Sequence, residues 1–156
     1  MAIRSSRFAL YLDTSALLKL FIEEPESAKV RSLVTGRSGA EVILVSRIGY
    51  TEAYVSLARM VHLGRIPAAD LPKHLGSLTD YWDQSIQEID LLEPVLEDAR
   101  QLAQRFPLRT YDAIHLASAR EARRMLRGIF AGEVRFLAYD THLLKAASEV
   151  GFTIPG

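Results

Sequence analysis

Residues 8–21 read Phe8-Ala9-Leu10-Tyr11-Leu12-Asp13-Thr14-Ser15-Ala16-Leu17-Leu18-Lys19-Leu20-Phe21. The first five are apolar without a break, as in a short strand buried on both faces. Beyond Asp13 the residues Ala16, Leu17, Leu20 and Phe21 fall at helical spacing, so the chain passes from strand to helix at the aspartate. The same change of period recurs downstream. Residues 42–45 form a second buried strand, and a long helix over 48–63 follows it until Gly64 stops it. Between the two strands Pro25 opens a helix that Gly36 closes. Pro67 starts another, with Leu71, Leu75, Leu78 and Trp82 as its buried stripe. A short strand over 86–89 leads to a helix whose stripe is Leu92, Leu96, Ala99, Leu102, Ala103 and Phe106. The helix over 110–126 carries Ala on both sides and is therefore central. A strand over 134–139, a helix over 143–150 and a last short strand over 152–154 complete the order. Such alternation predicts an α/β/α sandwich with a mainly parallel central sheet and helices on both faces. Residues 1–156 read as one domain, with 1–7 as a leader expected to fray.

Composition narrows the function. The chain has 156 residues, 49% of them hydrophobic, and no cysteine. A chain of this size buries about 70% of the surface its unfolded state exposes, so folding needs no disulfide or structural metal. Without cysteine there is no thiolate zinc site, iron–sulfur centre or thiol nucleophile, and a cytoplasmic location is expected. The apolar run behind Arg4 and Arg7 is too short for a signal peptide or a membrane span. Nineteen basic and nineteen acidic residues leave no net charge, and hence no compositional case for nucleic acid. Their distribution is uneven. Residues 80–99 hold seven acids and no Lys or Arg, whereas 100–135 hold eight arginines against Asp112, Glu121 and Glu133. These are either solvated helix faces or a basic surface that meets phosphates or an acidic partner.

In parallel α/β folds ligands bind beyond the carboxyl ends of the strands. Asp13 follows the first strand and Asp140 follows the strand over 134–139. The second strand leads through Ser46 into the helix that carries Glu52, and Asp112 lies in the first turn of the central helix. Taken singly, Asp13, Asp112 and Asp140 are explained as helix caps or dipole partners, each worth about 0.5–2 kcal/mol. Glu52 lies deeper in its helix, between Ile48 and Val55, and a carboxylate on an apolar stripe wants a partner. If all four converge, they repel. Two like charges about 4 Å apart cost ~1 kcal/mol in water and about 4 kcal/mol at an effective dielectric of 20, so the set needs protons or a cation. A hard divalent ion, Mg²⁺ or Mn²⁺, suits oxygen donors of this kind. The four histidines show no zinc-ligand spacing. His115, one turn after Asp112, reads as structural and stands outside the expected site.

The motifs Leu12-Asp13-Thr14-Ser15-Ala16-Leu17, Thr51-Glu52-Ala53, Tyr111-Asp112-Ala113-Ile114-His115-Leu116-Ala117 and Tyr139-Asp140, the last followed by Leu143, Ala146, Ala147 and Gly151, occur in order. Together they resemble the PIN-domain nucleases, and more narrowly the VapC-type toxins of bacterial and archaeal toxin–antitoxin pairs. The resemblance runs over residues 9–155 and rests on the set, since Asp-Thr-Ser alone is weak evidence. It implies metal-dependent hydrolysis of RNA phosphodiesters, a homodimer, and a VapB-type antitoxin whose C-terminal segment occupies the active-site groove. The residue types suit that chemistry, with water as nucleophile and Mg²⁺ or Mn²⁺ neutralising the phosphate and the departing 3′ oxygen. Asp13 and Asp112 are expected as principal ligands, Asp140 as ligand to a second ion or through water, and Glu52 as ligand or orienter of the attacking water. Thr14, Ser15 and Thr141 stand beside these acids and are expected to hydrogen-bond them. Arg120, Arg124 and Arg127, at i, i+4 and i+7, share a helix face. They would grip an RNA backbone, bind acidic groups of an antitoxin, or form a solvated face.

Competing chemistries fit less well. Asp13-Thr14-Ser15 and Asp140-Thr141 look like the paired signatures of aspartic proteases, but each Asp opens a helix and the Gly is missing. A phosphotransferase with an aspartyl nucleophile fits the fold, yet Ser15 stands where the common pattern has a second Asp. A PIN-like module that binds RNA or protein without cutting, or a PIN ribonuclease that is not a toxin, is separable from the toxin only by experiment or by the neighbouring gene.

Overall fold

A computed structural model describes residues 7–156. Its sheet is built around β1 (Phe8–Leu12), every residue of which is buried. β1 pairs on one side with β2 (Val42–Ser46) and on the other with β4 (Glu133–Leu137), and β2 pairs with β3 (Ile86–Ile89). The order is β3-β2-β1-β4 and every pairing is parallel, so all four strands end at one pole of the molecule. The strand expected over 152–154 is reduced to a single parallel bridge between Arg135 and Thr153, where Phe136 N–H donates to the Thr153 carbonyl at 3.0 Å.

Alternate residues of each strand face different layers. Ala9, Tyr11, Leu44, Ile89 and Phe136 pack against α5 (Glu93–Arg105), α6 (Thr110–Leu126) and α7 (Thr141–Glu149). Leu10, Leu12, Ile43, Val45 and Leu137 pack against α1 (Thr14–Leu18), α2 (Ser27–Thr35), α3 (Arg47–His62) and α4 (Leu71–Ser85). The architecture is the expected α/β/α sandwich. α6 is central as expected: Ala113, Leu116, Ala117, Ala119 and Ala122 are all buried, and the small alanines let it lie close to both the sheet and α5.

Two stripes differ from the expectation. In α5 the buried residues are Val95, Ala99 and Leu102, while Leu92, which precedes the helix start at Glu93, and Ala103, at the edge of the stripe, are exposed. In α3 the core row is Gly49, Ala53 and Leu57. Val55 is 57% exposed, so Glu52 borders the core row instead of interrupting it. Of the stretch 1–7 expected to fray, residues 1–6 lie outside the described residues. Arg7 is held by a bidentate pair with Glu41, at 2.6 Å for each bond.

Candidate active site

At the carboxyl pole of the sheet a cleft of about 240 Å³ is lined by Asp13, Thr14, Ser15, Glu52, Arg109, Asp112, His115, Tyr139 and Asp140. All four acids named from the sequence therefore open into one space. β1 delivers Asp13, which is 5% exposed. Its backbone N–H donates to the Leu137 carbonyl at 3.1 Å, continuing the β1–β4 ladder by one residue. Its Oδ1 accepts from Ala16 N–H at 2.9 Å, capping α1, and from Ser15 Oγ at 2.7 Å. Ser15 Oγ in turn accepts from Tyr139 N–H at 3.1 Å, tying the β1 exit to the β4 exit. Asp140 caps α7 in the same way, accepting from Leu143 N–H at 2.9 Å through Oδ1. Capping and convergence thus coexist: in each residue one carboxylate oxygen serves the helix and the other is left for the cleft.

Glu52 is oriented by two partners. Thr14 Oγ1 donates to its Oε1 at 2.9 Å, and His115 Nε2 lies 2.6 Å from the same oxygen. His115 is 2% exposed and its Nδ1 stands 2.8 Å from Tyr11 Oη, which accepts from Ser46 N–H at 3.2 Å. With Tyr11 donating to Nδ1 and Nε2 donating to Glu52, every donor in the chain Ser46–Tyr11–His115–Glu52 has an acceptor. His115 therefore belongs to the site, against the sequence expectation. Its one-turn spacing from Asp112 was the signal, and its partner Tyr11, inside an apolar strand, offered none. Burial of Tyr11 pushes its phenol well above the ordinary range, so it keeps the proton it donates.

Electrostatics record the crowding. The Asp13 carboxyl is raised, first by burial and further by Asp112, against the opposing effect of His115, Ser15 and Ala16. The Asp112 carboxyl is raised by burial and then by Asp140, with Glu52 adding to it. Arg109, absent from the sequence-based site, is the one Arg or Lys among the described residues of the cleft, with Nε 3.9 Å from Asp112 Oδ2 and Nη2 3.6 Å from Asp140 Oδ2. Among the described residues no three His, Asp or Glu side chains already surround a common point at ligand distance. The donor set is all oxygen, charge-crowded and open to solvent, which fits a hard ion that retains part of its water shell.

The remaining sequence-named residues lie elsewhere. Thr141 is exposed, outside the cleft, and has no hydrogen-bond partner among the described residues, because as the first residue of α7 it turns outward while Asp140 turns in. Arg120, Arg124 and Arg127 line a separate cleft of about 330 Å³ between α5 and α6. Arg120 pairs with Asp98 at 3.2 Å and Arg124 with Glu121 at 2.8 Å. At 1.5 Å rise per residue they stand about 12–22 Å from Asp112 along the axis of α6.

Four carboxylates thus gather beyond the ends of a parallel sheet, where α/β folds of this kind bind their ligands, with a hydroxyl and an imidazole fixing the orientation of Glu52. A family model for the PIN domain matches residues 10–149, and the chain belongs to the PIN-domain family. It is 35% identical over 144 residues to Ribonuclease VapC47 of Mycobacterium tuberculosis, covering 92% of this chain and 93% of that one. Its fold is similar to that of VapC20 from Mycobacterium tuberculosis, described as a sarcin–ricin loop cleaving toxin, with a TM-score of 0.65 at 17% identity over 92% of this chain and 96% of that one. It is also similar to a chain of a toxin–antitoxin complex from Klebsiella pneumoniae, with a TM-score of 0.54 at 20% identity over 85% of this chain and 98% of that one.

Proposed function

We propose that this chain is a metal-dependent endoribonuclease that hydrolyses RNA phosphodiester bonds and works as the toxin of a VapBC-type pair. The observation that carries the reading is the meeting of Asp13, Glu52, Asp112 and Asp140 in one cleft, in a chain related over nearly its whole length to a VapC ribonuclease. Asp13 and Asp112 would hold the ion, with Asp140 serving a second ion or acting through water. When bound, Mg²⁺ or Mn²⁺ supplies Lewis acidity toward water and the phosphate. Glu52, with Oε1 engaged by Thr14 and His115, has Oε2 left to accept a proton from the attacking water or align it. Ser15 keeps Asp13 in register with the β4 exit.

A VapB-type antitoxin is the expected inhibitor, and a homodimer the expected assembly. Tyr54 and Val55, exposed on the helix that carries Glu52, supply apolar surface for a partner to cover. No helix of the described residues is long and apolar enough to cross a membrane, and we place the activity in the cytoplasm. The test is cleavage of a structured RNA pool by the purified, partner-free protein with Mg²⁺ or Mn²⁺, beside EDTA and Asp112→Asn controls. Cleavage lost in both controls is expected. Folded protein that cuts under neither metal, or cutting that survives EDTA, overturns the reading.

A further inference from the structure

We infer that Arg109 is a built-in cation of the carboxylate cleft: it bridges Asp112 and Asp140 in the metal-free protein and turns to a phosphate of the RNA backbone when a divalent ion takes those carboxylates. The inference rests on the nuclease reading above. Arg109 sits at the N-cap position of α6, where its side chain makes no capping bond. Its contacts of 3.9 and 3.6 Å to the two aspartates are longer than hydrogen bonds, so charge holds it there and no fixed geometry does. Its side chain is 85% exposed, so it swings without disturbing packing. A guanidinium cannot shed its charge.

Two consequences follow from that position. An ion that seeks the Asp112 and Asp140 oxygens must displace Arg109. An RNA strand that approaches four carboxylates meets Arg109 as the only Arg or Lys lining the cleft among the described residues. The planar fork of the guanidinium matches a phosphate as well as it matches a carboxylate, so the residue exchanges one anionic partner for another. The two roles have opposite signs on removal: metal binding gains and RNA binding loses. An arginine with a merely structural role would move both in the same direction or neither.

The experiment compares wild type with Arg109→Ala and Arg109→Lys. Mn²⁺ binding is titrated without RNA by electron paramagnetic resonance, and cleavage kinetics are measured at saturating Mn²⁺. Arg109→Ala is expected to bind Mn²⁺ several-fold more tightly while its KM for RNA rises by about tenfold, the scale of one lost charged contact. Arg109→Lys, which keeps the charge and loses the fork, is expected to fall between alanine and wild type on both readouts. Unchanged or weaker Mn²⁺ binding in Arg109→Ala, or an unchanged KM, overturns the proposal. Wild type that binds Mn²⁺ and cleaves no RNA overturns the nuclease reading and the RNA half of the proposal with it, while the Mn²⁺ comparison still decides the other half.

Discussion

Asp112 carries the most informative single substitution. Its carboxyl is raised by burial and by Asp140, whereas in the unfolded chain it titrates near ~3.9. Between those two values the folded state binds more protons than the unfolded one, so the contribution of Asp112 to stability is present below the unfolded pKa and is lost as pH rises through the folded one. Asparagine has no such loss. In metal-free solution Asp112→Asn is therefore expected to match wild type below about pH 4. Its advantage should then grow toward neutral pH, reaching up to about 1 kcal/mol, the size of one screened repulsion. Urea midpoints of the two proteins across pH check it; a variant less stable than wild type at neutral pH would assign Asp112 a purely structural role. Asp13, Asp112 and Asp140 were legible in the sequence because each follows a strand or opens a helix, although capping explained them equally well, and Glu52 was legible as a carboxylate beside apolar residues inside a helix. That ambiguity had a physical source, since Asp13 and Asp140 each split their two oxygens between a cap and the cleft. For His115 the sequence held only the one-turn spacing from Asp112, and for Arg109 nothing. Their roles depend on Tyr11, Glu52 and Asp140, partners distant in sequence that only the fold brings near.

At the scale of elements, α3 is the part on which the site leans hardest. A β-carbon at Gly49 would stand 2.7 Å from Val45 Cγ1, 3.6 Å from His115 Cε1 and 3.7 Å from Thr14 Oγ1. Gly49 thus sets how closely α3 approaches β2, and Glu52 lies less than one turn beyond it. Gly49→Ala is expected to cost about 1–3 kcal/mol through overpacking. It should also lower cleavage by up to about 100-fold, the penalty for shifting a reacting group by about 1 Å. Thermal melts and single-turnover rates measure the two effects; full activity in the alanine variant would show that Glu52 needs no such support. Strands were legible as unbroken apolar runs, and the helices as periodic ones. The faces of α3 and α5 were less so, because a stripe read from apolar residues alone counts Val55, Leu92 and Ala103, which the packing leaves outside. The face that a helix buries depends on where its first turn begins, and that is decided by its neighbours.

For the molecule as a whole, most acids of the stretch 80–99 are met by arginines. Arg100 binds Glu93 and Glu97, Arg120 binds Asp98, and Arg47 reaches Glu88 and Asp90. With no net charge the protein has little long-range pull on RNA, so recognition is local to its clefts. Metal binding should nevertheless register globally. An ion bound only by the folded state at 100 times its Kd adds about 2.7 kcal/mol, or about 5–10 °C in Tm for a chain of this length. Wild type is expected to show that rise with Mn²⁺, and Asp112→Asn little or none; equal rises in both, followed by differential scanning calorimetry, would place the ion elsewhere. The register of the central strand has a further bearing on how such a protein is made. Ala9 pairs with Val134, 125 positions later, and Asp13 N–H bonds to Leu137. The cleft closes only when this last strand docks beside the first, so a chain still being translated, with its final third inside the ribosome, exposes only Asp13 and Glu52 of the four carboxylates and no assembled cutting site. Synthesis of a hazardous enzyme is thereby separated in time from its activity, and an inhibitor has the interval between release and docking in which to arrive.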